Sequence, residues 1–314
     1  MTQSPRFTIA IPTYNNEATV ANAIRSALGQ DYRGDYEVLV VNNASTDGTL
    51  GQAEQFVPDP RLTIVTNEST CSLYANHNVC LQQAKGDYVL FCHSDDTLDP
   101  GALRSIHRAL EQRGFPRRIV MWGHSLYIDF YDELNNAGFR AGQLFSGIVA
   151  ARAFFDMGLT PSGTCYCRSI ADHGGFLVTA AKAAPSDASS MVLAALNGFR
   201  FEMIEDIIFF RYTASTATHG RPFTEIISAH EDAFRLLFSK LNHSTVDTLI
   251  AQNSQRTRPS LLFLNSVSIL FPAKALRKVL IYVLRRPFSI RGQAMRAILY
   301  RIVKNYFRRD QCKR

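Results

Sequence analysis

Three polar clusters follow apolar, strand-like runs in this chain: Thr13-Tyr14-Asn15-Asn16, Asn42-Asn43-Ala44-Ser45-Thr46-Asp47 and His93-Ser94-Asp95-Asp96. The third carries the most chemistry. Adjacent carboxylates repel each other unless a cation or a set of donors neutralises them. A hard divalent ion such as Mg²⁺ binds few carboxylates and completes its shell with phosphate oxygens and water. Asp95 and Asp96 therefore read in two ways, as a cation site that would bridge to a diphosphate or as Asx caps of the next turn.

The elements that must position these clusters alternate between two periodicities. Phe7–Ile11 is a short apolar run ended by Pro12, and Tyr36–Val41, Arg61–Thr66 and Tyr88–Cys92 are further strand-like runs. Between them, Glu17–Leu28 places Ala18, Ala21, Ile24, Ala27 and Leu28 at helical spacing. A second helix is expected from Thr49 to about Phe56, capped by Ser45, Thr46 or Asp47, and a third over Leu73–Ala84. This alternation predicts a parallel α/β sheet with crossover helices, in which ligands bind at the carboxyl ends of the strands. All three polar clusters fall at such ends. After Pro100 the pattern weakens. A helix over Ala102–Glu111, strands over Ile119–Trp122, Ser125–Phe130, Phe201–Ile204 and Ile207–Tyr212, and a helix over Asp187–Asn197 are expected. Gly220 and Pro222 then punctuate the chain, predicting one unit over 1–222 and a helical region over 223–314.

Composition removes several classes. Of 314 residues, 46% are hydrophobic and 19% charged, with 18 Gly and 12 Pro, which is a globular and not a disordered or low-complexity profile. No CxxC pair occurs among the six cysteines, so a structural zinc site is not expected, and Cys71, Cys80, Cys92, Cys165, Cys167 and Cys312 read as reduced, mostly buried thiols of a cytoplasmic protein. A GxxxxGK[ST] loop, a GxGxxG turn after the first strand and a GxSxG elbow are all missing, which removes the main support for P-loop, ordinary dinucleotide-binding and serine-hydrolase readings. The first apolar run is too short for a signal peptide, and no segment reaches the length of a spanning helix.

Four motifs in order carry a resemblance. FTIAIPTYNNEATVANAIRSALGQDY, YEVLVVNNASTDGT and AKGDYVLFCHSDD resemble the family-2 glycosyltransferases of the GT-A fold, and Ser26-Ala27-Leu28-Gly29-Gln30 matches that family's "S-x-L-x-Q" stretch. The likeness is dense over residues 7–100 and thinner to about 217. It implies a GT-A (Rossmann-like) α/β fold with a mixed, mostly parallel sheet flanked by helices, here with a C-terminal helical extension. It further implies an inverting transferase that moves a sugar from a nucleotide-sugar donor to a saccharide or lipid-linked glycan acceptor.

Carried over residue by residue, the resemblance assigns Pro12, Thr13 and Tyr14 to the nucleotide pocket, with Asn43 and Ser94 beside it. Asn42 stands where the family usually has an Asp that accepts the base imide N–H, a bond an amide oxygen also accepts. Asp95 aligns with the metal-binding Asp of the family's D-x-D, Asp96 with the acid that often follows, and a divalent cation, Mg²⁺ or Mn²⁺, is the implied cofactor. His93 replaces the first acid of that motif, as a ligand, a phosphate donor or a rim residue. His77 replaces an arginine and either faces the donor or lies on a helix surface. Asp187, after Gly174-Gly175-Phe176, is the implied general base, or else an ordinary acid at a helix N-terminus. The departures at Asn42, His77 and His93 also raise a second reading, a non-catalytic nucleotide-sugar-binding or scaffold protein of the same fold.

Charge is divided unevenly. Residues 271–314 hold 13 Lys or Arg and one acid, Asp310, whereas the first 270 residues hold 21 basic and 26 acidic groups. A helix over 290–307 would gather Ala294, Met295, Ile298, Leu299, Ile302, Val303 and Tyr306 on one face, with Arg296, Arg301, Lys304 and Arg308 opposite. Such a basic amphipathic segment is expected either to lie on an anionic membrane surface, placing the protein peripherally on the cytoplasmic face of the inner membrane, or to pack on the domain. No nucleic-acid-binding motif appears, and no nucleic-acid partner is expected.

Overall fold

The computed structural model describes residues 6–126, 140–154, 159–179, 186–211, 223–242, 244, 245 and 248. Four parallel strands open the sheet: β1 (Phe7–Thr13), β2 (Tyr36–Asn42), β3 (Leu62–Thr66) and β4 (Tyr88–Phe91). Their crossovers run through helices α1 (Val20–Leu28), α2 (Thr49–Glu54) and α3 (Leu73–Gln83). β1 and β2 are buried along their whole length, as expected of near-continuous apolar strands covered on both faces.

The second half is mixed. It contains β5 (Asp96–Leu98), α4 (Ala102–Gln112), β6 (Ile119–Leu126), β7 (Leu144–Ser146), α5 (Gly147–Phe154), β8 (Thr164–Cys167), a 3₁₀ turn over Arg168–His173, α6 (Asp187–Leu196), β9 (Arg200–Arg211) and α7 (Phe223–Lys240). The strand order is β3-β2-β1-β4-β8-β6-β9-β5, with β7 on β9. β8 runs antiparallel between β4 and β6, and β9 lies parallel to β6.

Three differences from the sequence reading have physical causes. Pro12 does not end β1, which continues to Thr13 on β2 with Pro12 opposite Val41. β4 pairs with β1 only as far as Ala10, so the N–H that proline lacks falls where that neighbour has stopped. The pairs of short strands expected over 119–130 and 201–212 are the single strands β6 and β9. Their register shifts between Trp122 and Ser125, and this bulge gave the appearance of breaks. Residues 127–130, part of that expectation, lie outside the described residues. Short pieces such as β5 and β7 give no periodic signal.

Among the described residues one core runs through both halves of the sheet. Phe7, Ile9, Val38, Val40, Leu90 and Phe91 fill its parallel half, and Phe154, Tyr166, Phe176, Phe199 and Phe201 its mixed half. Phe234, Leu237 and Phe238 of α7 join the same core, so the helix after residue 222 packs on the sheet unit. Four of the free cysteines, Cys80, Cys92, Cys165 and Cys167, are buried and Cys71 is partly so. Among the described residues no helix is long and apolar enough to cross a membrane. The basic segment 271–314 lies outside the described residues.

Candidate active site

The strand order reverses at β1, whose neighbours β2 and β4 are reached by crossovers in opposite directions. A crevice opens at such a switch point beyond the carboxyl ends of the strands, and the three polar clusters meet there. The Asn16 side-chain oxygen, after β1, accepts the Ser94 hydroxyl at 2.8 Å, after β4. The Asn15 amide N–H donates to Ser45 Oγ at 3.0 Å, and Asn15 Oδ1 accepts the Thr46 N–H at 2.9 Å, tying the first loop to the second. Asp47 accepts from Thr49 N at 3.0 Å and from Glu17 N at 3.2 Å. Of the three caps considered for α2, it is Asp47 that binds the first turn.

Pro12 and Thr13 are buried at the end of β1, whereas Tyr14 is 46% exposed at the mouth. The Thr13 hydroxyl is buried with no hydrogen-bond partner among the described residues. Asn42 is buried; its Oδ1 accepts the Ser45 N–H at 3.1 Å, and its Nδ2 lies 3.4 Å from Thr66 Oγ1. Asn43 sits in an amide network, its Oδ1 accepting the Cys71 N–H at 2.9 Å and Asn67 Nδ2 at 3.0 Å. Asn67 also donates to Asn76 Oδ1 at 2.9 Å. These amides fix the floor of the second loop.

His93, Asp95 and Asp96 form the acidic end of the crevice. Their ligand atoms lie within 4.8 Å of one another, Asp96 buried and the other two half-buried. Asp96 opens β5 instead of standing free in a loop. The His93 backbone N–H donates to Ser162 Oγ at 3.0 Å, so the Thr160-Pro161-Ser162-Gly163 stretch holds this turn from the β8 side. One imidazole and two carboxylates at this separation match the donors and spacing that a single divalent ion takes.

His77 is not a helix-surface residue. It is 0% exposed on α3, stacked on Phe91 with ring centroids 5.1 Å apart, and its Nε2 lies 2.9 Å from His93 Nε2. Burial, with His93 beside it, pushes its pKa down to about 3, so the ring is neutral. One turn earlier on α3, Tyr74 packs on His77 with centroids 5.4 Å apart and donates its hydroxyl to Asp187. Asp187 begins α6. Burial raises its carboxyl to about 6, against the opposing pull of backbone N–H groups and of Tyr74. A chain of contacts thus runs Asp187, Tyr74, His77, His93 and on to Asp95 and Asp96.

The Gly174-Gly175-Phe176-Leu177 stretch is tied to both α3 and α6. Asn78 on α3 clamps Phe176 by both backbone groups, each at 2.8 Å. Gly175 has φ of 53°, and a Cβ there would meet Asn78 Oδ1 at 2.5 Å. Leu177 N donates to Ser190 Oγ at 2.9 Å, fastening the same stretch to α6. Tyr74 and Asn78 escaped the sequence reading, because their partners lie far along the chain and nothing local marks them.

Residues 8–117 match the family described as Glycosyl transferase family 2. The putative glycosyltransferase EpsE of Bacillus subtilis is 29% identical over 182 residues, 57% of this chain and 58% of EpsE. The Escherichia coli protein WfgD, a UDP-Glc:alpha-D-GlcNAc-diphosphoundecaprenol beta-1,3-glucosyltransferase, is 35% identical over 88 residues, 28% of this chain and 34% of WfgD. The chain therefore spans about a third to just over half the length of these curated relatives. Among solved structures, Staphylococcus aureus TarS 1-349 in complex with UDP-GlcNAc superposes with a TM-score of 0.60 at 18% identity, covering 96% of this chain and 89% of that one. That likeness establishes the GT-A fold. Motifs, topology and the match over residues 8–117 thus agree on a GT-A fold whose N-terminal part is similar to glycosyl transferase family 2.

Proposed function

We propose that this protein transfers a sugar from a nucleotide-sugar donor to a saccharide or lipid-linked glycan acceptor, with inversion at the anomeric carbon, in the building of a bacterial surface polysaccharide. The observation that carries this reading is the approach of Asp187 to the Asp95–Asp96 cluster through Tyr74, His77 and His93. A carboxylate at one side of the crevice and a cation-type donor set at the other are the two groups a single displacement needs.

Each residue then has a task. Tyr14 offers an aromatic face to the base, and Pro12 and Thr13 line the pocket, where the unpartnered Thr13 hydroxyl gains a partner from the donor. Asn42 keeps a second lone pair on its amide oxygen for the base, while Asn43 and Ser94 hold the loops around it. Asp95, with Asp96 and His93, would hold Mg²⁺ or Mn²⁺. Such an ion neutralises charge on the departing nucleoside diphosphate. Asp187 takes the proton of the acceptor hydroxyl, and its raised pKa suits that work near neutral pH. The name of WfgD, which gives a diphosphoundecaprenol-linked sugar as acceptor, supports a lipid-linked glycan acceptor, and a nucleotide-sugar donor would place the chemistry in the cytoplasm. The 223–314 region, with its basic stretch at 271–314, would bring the 1–222 unit to the membrane where such an acceptor resides.

A thermal-shift panel of nucleoside diphosphates and nucleotide sugars, with and without Mn²⁺ or Mg²⁺, tests the donor. Nucleotide release with a glycolipid extract, lost in Asp187→Ala, tests the transfer. Donor binding with no release in the presence of any acceptor fraction would instead favour the non-catalytic binding reading.

A further inference from the structure

The His77–His93 pair has an internal logic that reaches into the crevice. His77 Nδ1 lies 2.7 Å from the Leu73 carbonyl oxygen. A carbonyl only accepts, so Nδ1 carries the hydrogen. The ring is fully buried against Phe91, with Tyr74 and Phe176 also packed on it, surroundings that favour the neutral imidazole. Its Nε2 is therefore a lone pair, and the His93 Nε2 lying 2.9 Å away must be the donor. The two rings stand at 84° to each other. With Nε2 protonated, a neutral His93 has its lone pair on Nδ1. The backbone of His93 is fixed separately through Ser162, so ring and main chain are both held.

We propose that His77 is a positioning residue that sets the tautomer of His93, making His93 Nδ1 a nitrogen ligand beside Asp95 and Asp96 and giving the site a preference for a first-row transition ion such as Mn²⁺ over Mg²⁺. This rests on the reading of that cluster as a cation site. Mg²⁺ demands near-octahedral oxygen coordination and gains little from nitrogen. Ions from Mn²⁺ through Co²⁺ gain progressively from an imidazole. A histidine ligand is commonly oriented by a group on its other nitrogen; here that group is a second imidazole, which accepts without adding negative charge.

The test uses the full chain and bare ions. Mn²⁺ is titrated by electron paramagnetic resonance, with Mg²⁺ and Co²⁺ as competitors. Expected are Mn²⁺ binding at least about tenfold tighter than Mg²⁺, Co²⁺ at least as tight as Mn²⁺, and spin-echo modulation from one ¹⁴N of an imidazole. His93→Asp should remove the modulation and narrow the preference for Mn²⁺. His77→Phe keeps an aromatic ring in the core but not the acceptor, and should weaken Mn²⁺ by about 10–100-fold. Long-range ¹H–¹⁵N spectra of the unaltered chain read the tautomers directly, with Nδ1–H on His77 and Nε2–H on His93. This readout holds even if the variant fails to fold. Equal affinity for Mg²⁺ and Mn²⁺, no nitrogen modulation, or a proton on His93 Nδ1 overturns the inference. Sugar transfer that proceeds without the ion preference sinks this inference alone. The ion preference without any sugar transfer sinks the proposed function alone.

Discussion

Asp187 shows how one residue can be unfavourable to the fold and suited to chemistry. Its carboxyl is raised to about 6 by burial, although backbone N–H groups at the start of α6 and the Tyr74 hydroxyl draw it down. A carboxylate raised above its unfolded value of 3.8 binds protons more tightly in the native state. The stability it contributes is greatest below about pH 4 and is lost as pH rises through about 6. Asp187→Asn should therefore raise the urea midpoint at pH 7, by a gain on the order of 1–3 kcal/mol, with no gain at pH 4. The same variant should lower turnover by roughly 10²- to 10⁴-fold with donor affinity unchanged. Loss of stability at pH 7 would mean that the carboxylate holds the fold together instead. Because Tyr74 lowers the Asp187 pKa, Tyr74→Phe should move the acid limb of the kcat/KM profile to higher pH, an effect that simple loss of packing would not give. Asp187 was marked as the candidate base by the motif that precedes it in the sequence. Tyr74 was not, since its role exists only once α3 and α6 are side by side.

Elements were legible where periodicity and both-sided burial spoke together. β1 to β4 and α1 to α3 follow the sequence expectation to within a few residues; β1, β2 and β4 are buried throughout and need unbroken apolar runs, while the half-buried edge strand β3 is marked by its β-branched residues. The mixed half resisted, since the bulge in β6 and β9 interrupts the alternation and β5, β7 and α5 are too short or too ambiguous to read. Even in the legible half, some of the reasons stayed hidden. The Ala84-Lys85-Gly86-Asp87 stretch joins α3 to β4. In the fold, the Gly86 N–H donates to Thr8 Oγ1 at 2.9 Å, and Thr8 in turn donates to the buried Glu37 at 2.7 Å. A Cβ on Gly86 would lie 2.5 Å from Thr8 N and 2.6 Å from Phe7 C. These are backbone atoms of β1 and cannot swing aside. Gly86→Ala should force β4 away from β1 and cost roughly 2–4 kcal/mol of stability, seen as a lower urea midpoint at unchanged slope. A variant as stable as the unaltered chain would show that this approach is not close in solution.

At the scale of the whole molecule, charge and function divide along the chain. The first 270 residues carry more acid than base, yet they include the crevice proposed to take an anionic donor. On the proposed function, attraction of the donor would depend on local donors and a held cation and not on the net field of the protein. The 13 basic residues of 271–314 come more than 80 positions after the last motif of that crevice in the chain. A leaflet rich in anionic lipid offers roughly 1 kcal/mol per cation close to its surface, and such attraction falls steeply as salt shortens the screening length. The full chain should sediment with vesicles containing about a third phosphatidylglycerol at low salt and release from them near ~0.5 M salt. Reversing Arg296, Arg301, Lys304 and Arg308 to Glu should abolish sedimentation and leave transfer to a water-soluble acceptor intact, because these residues lie far along the chain from the motifs that build the crevice. If the segment instead packs on the domain, the reversal would lower thermal stability and soluble turnover together, with vesicle binding weak from the start. The two outcomes separate an element that locates the enzyme from one that completes it.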